Sequence, residues 1–183
     1  MNPLPSPALL GLPAELQAGR VASLHLHSLE AGAPMQNVDA IEVIAGKGIV
    51  GNARHFERRS RSTGEPSRRQ VSLIEREQIA EHATTLGLEK IVPGAVRSNI
   101  ETAGVKLASF IGQDVQVGEA VLRFYAPRTP CAKMDAICKG LRELMQNGRQ
   151  GIMAEIVRSG KIRVGDPIQL VAPSQPLALD YQI

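Results

Sequence analysis

Aromatic residues are scarce in this sequence, and long apolar runs are absent. Its 183 residues include no tryptophan, two tyrosines and three phenylalanines. Surfaces that bind single-stranded nucleic acid usually interleave basic residues with stacking aromatics, so this composition disfavours nucleic acid as a partner. The longest apolar runs are far too short to cross a bilayer as a helix, and we therefore expect no membrane partner.

Cysteine is equally scarce, and its placement disfavours a disulfide. The two cysteines, Cys131 and Cys138, do not form a C-x-x-C redox or zinc pair. If both lie in one helix they are roughly 10 Å apart, which is too far for a disulfide bond. Residues 1–16 also lack the basic region and apolar core of a secretion signal. These observations predict a cytoplasmic protein.

Glycine and proline, by contrast, are abundant, with 17 and 12 residues. Short segments of alternating polarity between glycine-containing turns predict strands, and two segments have the spacing of amphipathic helices. We therefore predict a mainly β domain with a few helices (α+β), folded as a closed or nearly closed β-barrel without exposed edges. The barrel spans residues 19–171, between a proline-rich leader (1–18) and a tail (172–183). The predicted strands are 21–27, 38–44, 70–74, 96–101, 114–117, 120–125, 152–157, 161–164 and 168–171, and the predicted helices are 75–86 and 131–147.

Two patterns that suggest ligand sites have simpler interpretations. Residues 46–51 read G-x-G-x-x-G, but the dinucleotide-binding fingerprint needs a helix at its last glycines, and a polar loop follows here. His25 and His27 lie on one face of the first predicted strand, where two histidines could begin a metal site. Because no third ligand is evident nearby, we expect this face to contact solvent.

The polar loop at residues 52–69 is rich in arginine. It contains two glutamates and six arginines, at positions 54, 58, 59, 61, 68 and 69. Arginine clusters bind phosphate or carboxylate through their planar guanidinium groups. A solvated, mobile loop is the alternative, which we favour for Arg58, Arg59 and Arg61.

A third segment, residues 125–133, runs from a strand through two prolines to Cys131. If the predicted helix begins at this cysteine, its thiolate is favoured by unpaired N–H groups at the helix start and by Arg128 and Lys133. A buried, inert cysteine is the alternative reading. Cys138 lies in the apolar stripe of the same helix and is predicted to belong to the core.

Ten short segments share their order and spacing with one protein family. They are residues 51–55, 69–73, 93–94, 97–100, 111–112, 117–118, 129–131, 151–157, 159–162 and 165–166. Taken together they resemble the MOSC domain family, which occurs at the C terminus of molybdenum cofactor sulfurases and as stand-alone bacterial proteins. The resemblance covers about residues 20–171 and implies a β-rich barrel with few helices. Two positions depart from the family pattern, since Asn52 often corresponds to Asp and Ser98 to Glu.

The resemblance implies the molybdenum cofactor (molybdopterin) as ligand. By position, Cys131 is then the catalytic residue, either as molybdenum ligand or as carrier of a persulfide. The cofactor-binding positions carried over from the family are His55, Arg69, Arg97, Asn99 and Thr129. Pyridoxal phosphate binding and molybdenum ion binding are further properties that the resemblance implies.

Three functions remain open from the sequence. The first is a molybdenum-cofactor-dependent reductase of small N-hydroxylated compounds, or a protein that handles the cofactor. The second is a sulfur carrier that uses a Cys131 persulfide, and the third is a non-catalytic barrel that binds an anion or a partner and has an inert cysteine. The sequence contains no flavin, haem or iron–sulfur motif, so a reductase would need an electron-donor protein, and a carrier a sulfur donor.

Overall fold

The computed structural model of the protein describes residues 19–171. The predicted leader (1–18) and tail (172–183) lie outside the described residues. Within 19–171 no helix is long and apolar enough to cross a membrane. The strands are β1 (Gly19–Leu26), β2 (Gln36–Val38), β3 (Ala40–Ile44), β4 (Gly48–Ile49), β5 (Val71–Glu75), β6 (Ile100–Ala103), β7 (Asp114–Val117), β8 (Ala120–Pro127), β9 (Ile152–Arg158), β10 (Gly160–Arg163) and β11 (Pro167–Leu170), and the α-helices are α1 (Arg76–Thr85) and α2 (Leu141–Leu144).

Seven of these strands close into a barrel in the order β11-β7-β8-β9-β5-β6-β1. β1 also pairs with β11, through Gly19 with Ile168 and Arg20 with Pro167, so the ring has no free edge at this point. Only β5 and β6 run parallel, and α1 connects them. β2 extends from β1, while β10, β3 and β4 form a separate three-stranded sheet. The predicted mainly β, closed barrel is confirmed.

Inward-facing side chains of the strands form the barrel core. Leu24, Leu73, Ile100, Leu122 and Phe124 are among its fully buried members. Burying each such side chain contributes about 1.5–3 kcal/mol relative to leaving it in water. A second apolar cluster packs α1 and α2 against the outside of the barrel, and its members are Ile74, Ile79, Val96, Met134, Leu141 and Met145.

The prediction of a long helix that begins at Cys131 is wrong. Cys131 is extended (φ −117°, ψ 169°) and precedes a single 3-10 turn at Ala132–Met134. Gly140, with φ +92°, interrupts the segment, and the Asp135 carboxylate accepts hydrogen bonds from the N–H groups of Gly140 and Arg142. The apolar spacing is satisfied by separate turns that bury individual residues. No helix dipole therefore acts on Cys131.

Three further local predictions can be compared with the structure. Cys138 is half-buried and not part of either apolar cluster, so its assignment to the core is wrong. His25 and His27 are buried, with 0% and 5% of their surface exposed, so the expected solvent contact is wrong as well. The G-x-G-x-x-G segment forms β4 and turns and lacks the following helix that the dinucleotide-binding fingerprint requires.

Candidate functional site

One end of the barrel carries a cavity of about 290 Å³. It is built where β1 and β8 end and where β5, β6 and β9 begin, together with the loop after β4. Antiparallel pairing brings the end of β1 to the start of β6 and the end of β8 to the start of β9, and parallel pairing brings the starts of β5 and β6 together. The lining residues are His27, Arg54, His55, Arg58, Arg69, Ser72, Arg97, Arg128, Thr129, Cys131, Lys133, Met134, Gln150 and Met153.

The structure brings together five of the six predicted site residues. Cys131, His55, Arg69, Arg97 and Thr129 all line the cavity. Cys131 is solvent-exposed, which excludes the buried form of the inert-cysteine reading.

Asn99, the sixth predicted residue, does not line the cavity. It is fully buried, and its Oδ1 accepts hydrogen bonds from the backbone N–H of Ser72 (3.2 Å) and from Ser72 Oγ (3.0 Å). Its Nδ2 donates to the carbonyl oxygen of His25 at 3.2 Å. These contacts use the amide to join β1, β5 and the start of β6. We therefore correct its assignment from direct cofactor contact to support of Ser72, which does line the cavity.

The cavity is strongly cationic. Among residues 19–171, its lining contains five arginines and one lysine but no Asp or Glu. The pKa of Arg128 is lowered to about 10, first by burial and then by the nearby Arg69. Burial likewise lowers the pKa of Arg97, with Arg54 acting in the same direction and a Cys131 thiolate opposing it. Because these guanidinium groups repel each other and lack carboxylate partners in the lining, the site favours an anion.

Arg97 and Arg128 are held in place by backbone contacts. Arg97 has a positive φ of 59°, a conformation that is strained for a residue with a side chain. Arg128 Nη2 donates to the Arg97 carbonyl oxygen at 3.2 Å, and Arg97 Nη1 donates to the Ala33 carbonyl oxygen at 3.1 Å. Such strain persists only where the surroundings hold it, and here it directs the guanidinium into the cavity wall.

Three buried polar atoms in this lining have no hydrogen-bond partner among the described residues. They are Arg97 Nε, Arg128 Nη1 and Gln150 Oε1. Buried polar atoms in native proteins are nearly always paired, so an unpaired group needs an explanation. Two of these atoms are donors and one is an acceptor. Their residues line the cavity, but the three atoms themselves are closed to solvent.

Two histidines face each other in the cavity. The rings of His27 and His55 meet edge to face, with centroids 5.7 Å apart. Burial lowers the pKa of His27 to about 4, and the hydrogen bond to Asn52, which acts in the opposite direction, is the smaller effect. Burial, with the neighbouring His27 and Arg58, lowers the pKa of His55 to about 3. Both imidazoles are therefore neutral at neutral pH, and the cavity's positive charge comes from its arginines and lysine.

Sequence reasoning missed several lining residues. Arg54, Arg128 and Lys133 belonged to basic stretches that were recognised, yet were not assigned to the site. His27 carried a usable signal, since it directly follows β1 and strand ends commonly carry functional side chains. Gln150 had no distinguishing signal, because nothing in its local sequence indicates that its side chain is buried.

A set of three or more His, Cys, Asp or Glu side chains that could hold a metal ion is not found within residues 19–171. Cys138, the second thiol, is not part of the cavity lining. Cys131 is thus the thiol of the candidate site.

Comparisons with known proteins agree with this architecture. A family model described as the MOSC domain matches residues 50–169. The protein YiiM of Escherichia coli (strain K12) is 30% identical over 88 residues, covering 46% of this chain and 39% of YiiM, so the match spans about two fifths of that relative's length.

Solved structures are similar over most of the chain. The YuaD protein from Bacillus subtilis has a TM-score of 0.70 at 19% identity, covering 84% of this chain and 96% of YuaD. Escherichia coli YiiM has a TM-score of 0.59 at 20% identity, covering 86% of this chain and 70% of the YiiM chain. At these identities the likeness supports the fold.

Proposed function

Because the chain belongs to the MOSC domain family, which is associated with the molybdenum cofactor, we propose that it binds this cofactor in the cationic cavity with Cys131 as the molybdenum ligand. One observation carries the proposal. An exposed thiol lies in a cavity lined by six cationic side chains.

The residues present fit the chemistry of the cofactor. Its phosphate is an anion that the arginines and the lysine of the lining can hold, and its pterin carries N–H groups that the hydroxyl oxygens of Ser72 and Thr129 can accept. A soft thiolate such as that of Cys131 suits molybdenum. Since the described residues hold no set of three metal-ligating side chains, the metal has to arrive with ligands of its own, as it does in a pterin complex.

We extend the proposal to reduction of small N-hydroxylated compounds, the activity implied by the family resemblance. The bound cofactor would supply a molybdenum centre for two-electron chemistry. The chain itself would bind and orient the cofactor's anionic end through its arginines and present the Cys131 thiolate. Its two cysteines are fewer than the four that an iron–sulfur cluster usually requires, so electrons would come from a donor protein.

A second candidate is sulfur transfer through a Cys131 persulfide, with a sulfur-donor protein as partner. The exposure of the thiol favours it, because a persulfide must be reached by both a donor and an acceptor of sulfur. Pyridoxal phosphate binding and a cytoplasmic location stay predictions.

Molybdenum content separates these functions. Protein made in a host that synthesises the cofactor should contain close to one molybdenum per chain, and Cys131→Ser should lose nearly all of it. Both C131S and the matched control C138S should change the free energy of unfolding by no more than about 1 kcal/mol, because neither thiol belongs to an apolar cluster. C138S should keep its molybdenum.

Full molybdenum content in C131S would contradict the proposed ligand. Sulfane sulfur on the peptide that contains Cys131, without molybdenum, would favour the sulfur carrier instead. Neither metal nor sulfane sulfur in the wild-type protein would favour a non-catalytic barrel that binds an anion or a partner.

A further inference from the structure

Asn52 fixes the orientation of its own amide beneath the cavity. It is fully buried, and its Oδ1 accepts a hydrogen bond from the backbone N–H of His27 at 2.8 Å. A backbone N–H can only donate, so the amide oxygen has to face it. The reversed amide would place an NH₂ group against another donor. This contact therefore settles an assignment that is otherwise ambiguous for Asn side chains.

The same oxygen determines the tautomer of His27. It lies 3.1 Å from the ring Nδ1, and an amide oxygen has no proton to give. Nδ1 must therefore carry the proton, which leaves Nε2 of the neutral ring with a free lone pair. Nε2 makes no hydrogen bond within residues 19–171, and the ring forms part of the cavity wall.

The charged side chains of this cavity offer hydrogen-bond donors only. They are the five arginines and the lysine of the described lining. A ligand held by its anionic end would still need an acceptor for any N–H or O–H group that it carries. The hydroxyls of Ser72 and Thr129 can accept as well as donate, whereas Nε2 of His27 in this tautomer can only accept. His27 Nε2 is also not among the unpaired atoms that are closed to solvent.

We propose that His27, held in its Nδ1–H tautomer by Asn52, accepts a hydrogen bond from an N–H or O–H group of the ligand whose anionic end the arginines bind. The proposal deepens the proposed function, on which it rests for the identity of the ligand. A site with these cationic side chains and this acceptor selects a ligand that is an anion and also carries an N–H or O–H group. Asn52 acts through His27 and is a positioning residue.

The tautomer can be measured directly in the full chain. The sequence has only four histidines, so nitrogen-15 NMR of the imidazole rings is readily assigned with single substitutions. His27 should give a protonated Nδ1 and an unprotonated Nε2 near neutral pH. His82 provides an internal reference of the opposite kind, because its Nε2 lies 2.9 Å from the Arg149 carbonyl oxygen and must carry the proton. A protonated Nε2 on neutral His27 would overturn the proposal.

The acceptor role is tested with two simple anions at pH 6. Phosphate carries O–H groups at this pH, whereas sulfate carries none. His27→Phe should weaken phosphate binding by roughly tenfold, as expected for one lost hydrogen bond, and should leave sulfate binding nearly unchanged. The effect of the different anion charges on affinity cancels when the variant is compared with the wild type. If the ratio of phosphate affinity to sulfate affinity is the same in both proteins, His27 is not the acceptor.

Asn52→Asp provides the second variant, with nearly the same shape. A carboxylate beside Nδ1 favours the imidazolium, whose Nε2 is a donor, so this variant should also lose the preference for phosphate. NMR should find both nitrogens of His27 protonated in N52D at pH 6. These measurements need no cofactor. A wild-type protein without molybdenum would contradict the proposed function alone, while the anion ratio and the tautomer decide the present proposal.

Discussion

Acidification should destabilise this protein through its cavity histidines. An unfolded histidine has a pKa near 6.5, whereas burial lowers the pKa of His27 to about 4 and that of His55 to about 3. Between these values the unfolded chain binds more protons than the native one. The stabilisation is therefore complete above pH 6.5 and is lost as the pH falls towards 4.

The magnitude follows from the same values. For a histidine that titrates at 6.5 when unfolded and near 4 when folded, lowering the pH from 7 to 5 costs about 2 kcal/mol. His55 adds a similar amount, and burial lowers the pKa of His25 in the same direction. For an ordinary dependence on urea, a loss of about 2 kcal/mol moves the unfolding midpoint by roughly 1 M.

Urea unfolding of the wild type and of His27→Phe at pH 7 and pH 5 measures the effect. The variant should lose about 2 kcal/mol less than the wild type between the two pH values, and its own stability at pH 7 cancels from this difference. His55→Phe is the parallel variant. The rings of the two histidines are in contact, so their effects should not be additive. A wild-type midpoint that is equal at both pH values would refute the argument, as would a variant that keeps the full pH dependence.

Two further predictions concern the thiols and the barrel. The ratio of the labelling rate with anionic iodoacetate to the rate with neutral iodoacetamide should be higher for Cys131 than for Cys138, because only Cys131 lies in the cationic lining. Mass spectrometry of the two peptides measures both ratios, and equal ratios would contradict the prediction. Gly151→Ala should lower the free energy of unfolding by roughly 3 kcal/mol or more, because its Cβ would collide with the Leu73 carbonyl oxygen at a φ of +80°. Gly104→Ala, at a φ of +74° in open space, should lower the free energy of unfolding by only about 1 kcal/mol. Thermal melts of both variants measure these changes, and equal losses of stability would show that the collision is unimportant.

The alternation of polar and apolar residues was sufficient to predict most of the strands. The prediction for β7 has the observed bounds, that for β9 ends one residue early, and that for β10 is shifted by one residue at both ends. Glycine-rich turns between short strands also indicated a closed barrel, and pairing of β1 with β11 closes it. These features are local, because a period of two and a turn residue are visible in a few consecutive positions.

Other features depended on contacts between distant segments. Helical spacing after Cys131 predicted one helix, but the apolar residues there are buried by separate turns around Gly140. Alternation in the predicted strand 21–27 placed His25 and His27 on one face, but it could not indicate that residues from other parts of the chain cover that face.

The chain's own pattern and the family resemblance together determined the barrel and five of the residues that line its cavity. Only the tertiary structure decided that Asn99 supports Ser72 and that Asn52 orients His27 beside a cavity whose described lining holds no carboxylate. The physical reason is that burial, hydrogen-bond partners and pKa values belong to the three-dimensional surroundings of a side chain. Those surroundings are supplied here by strand ends that lie far apart in the sequence.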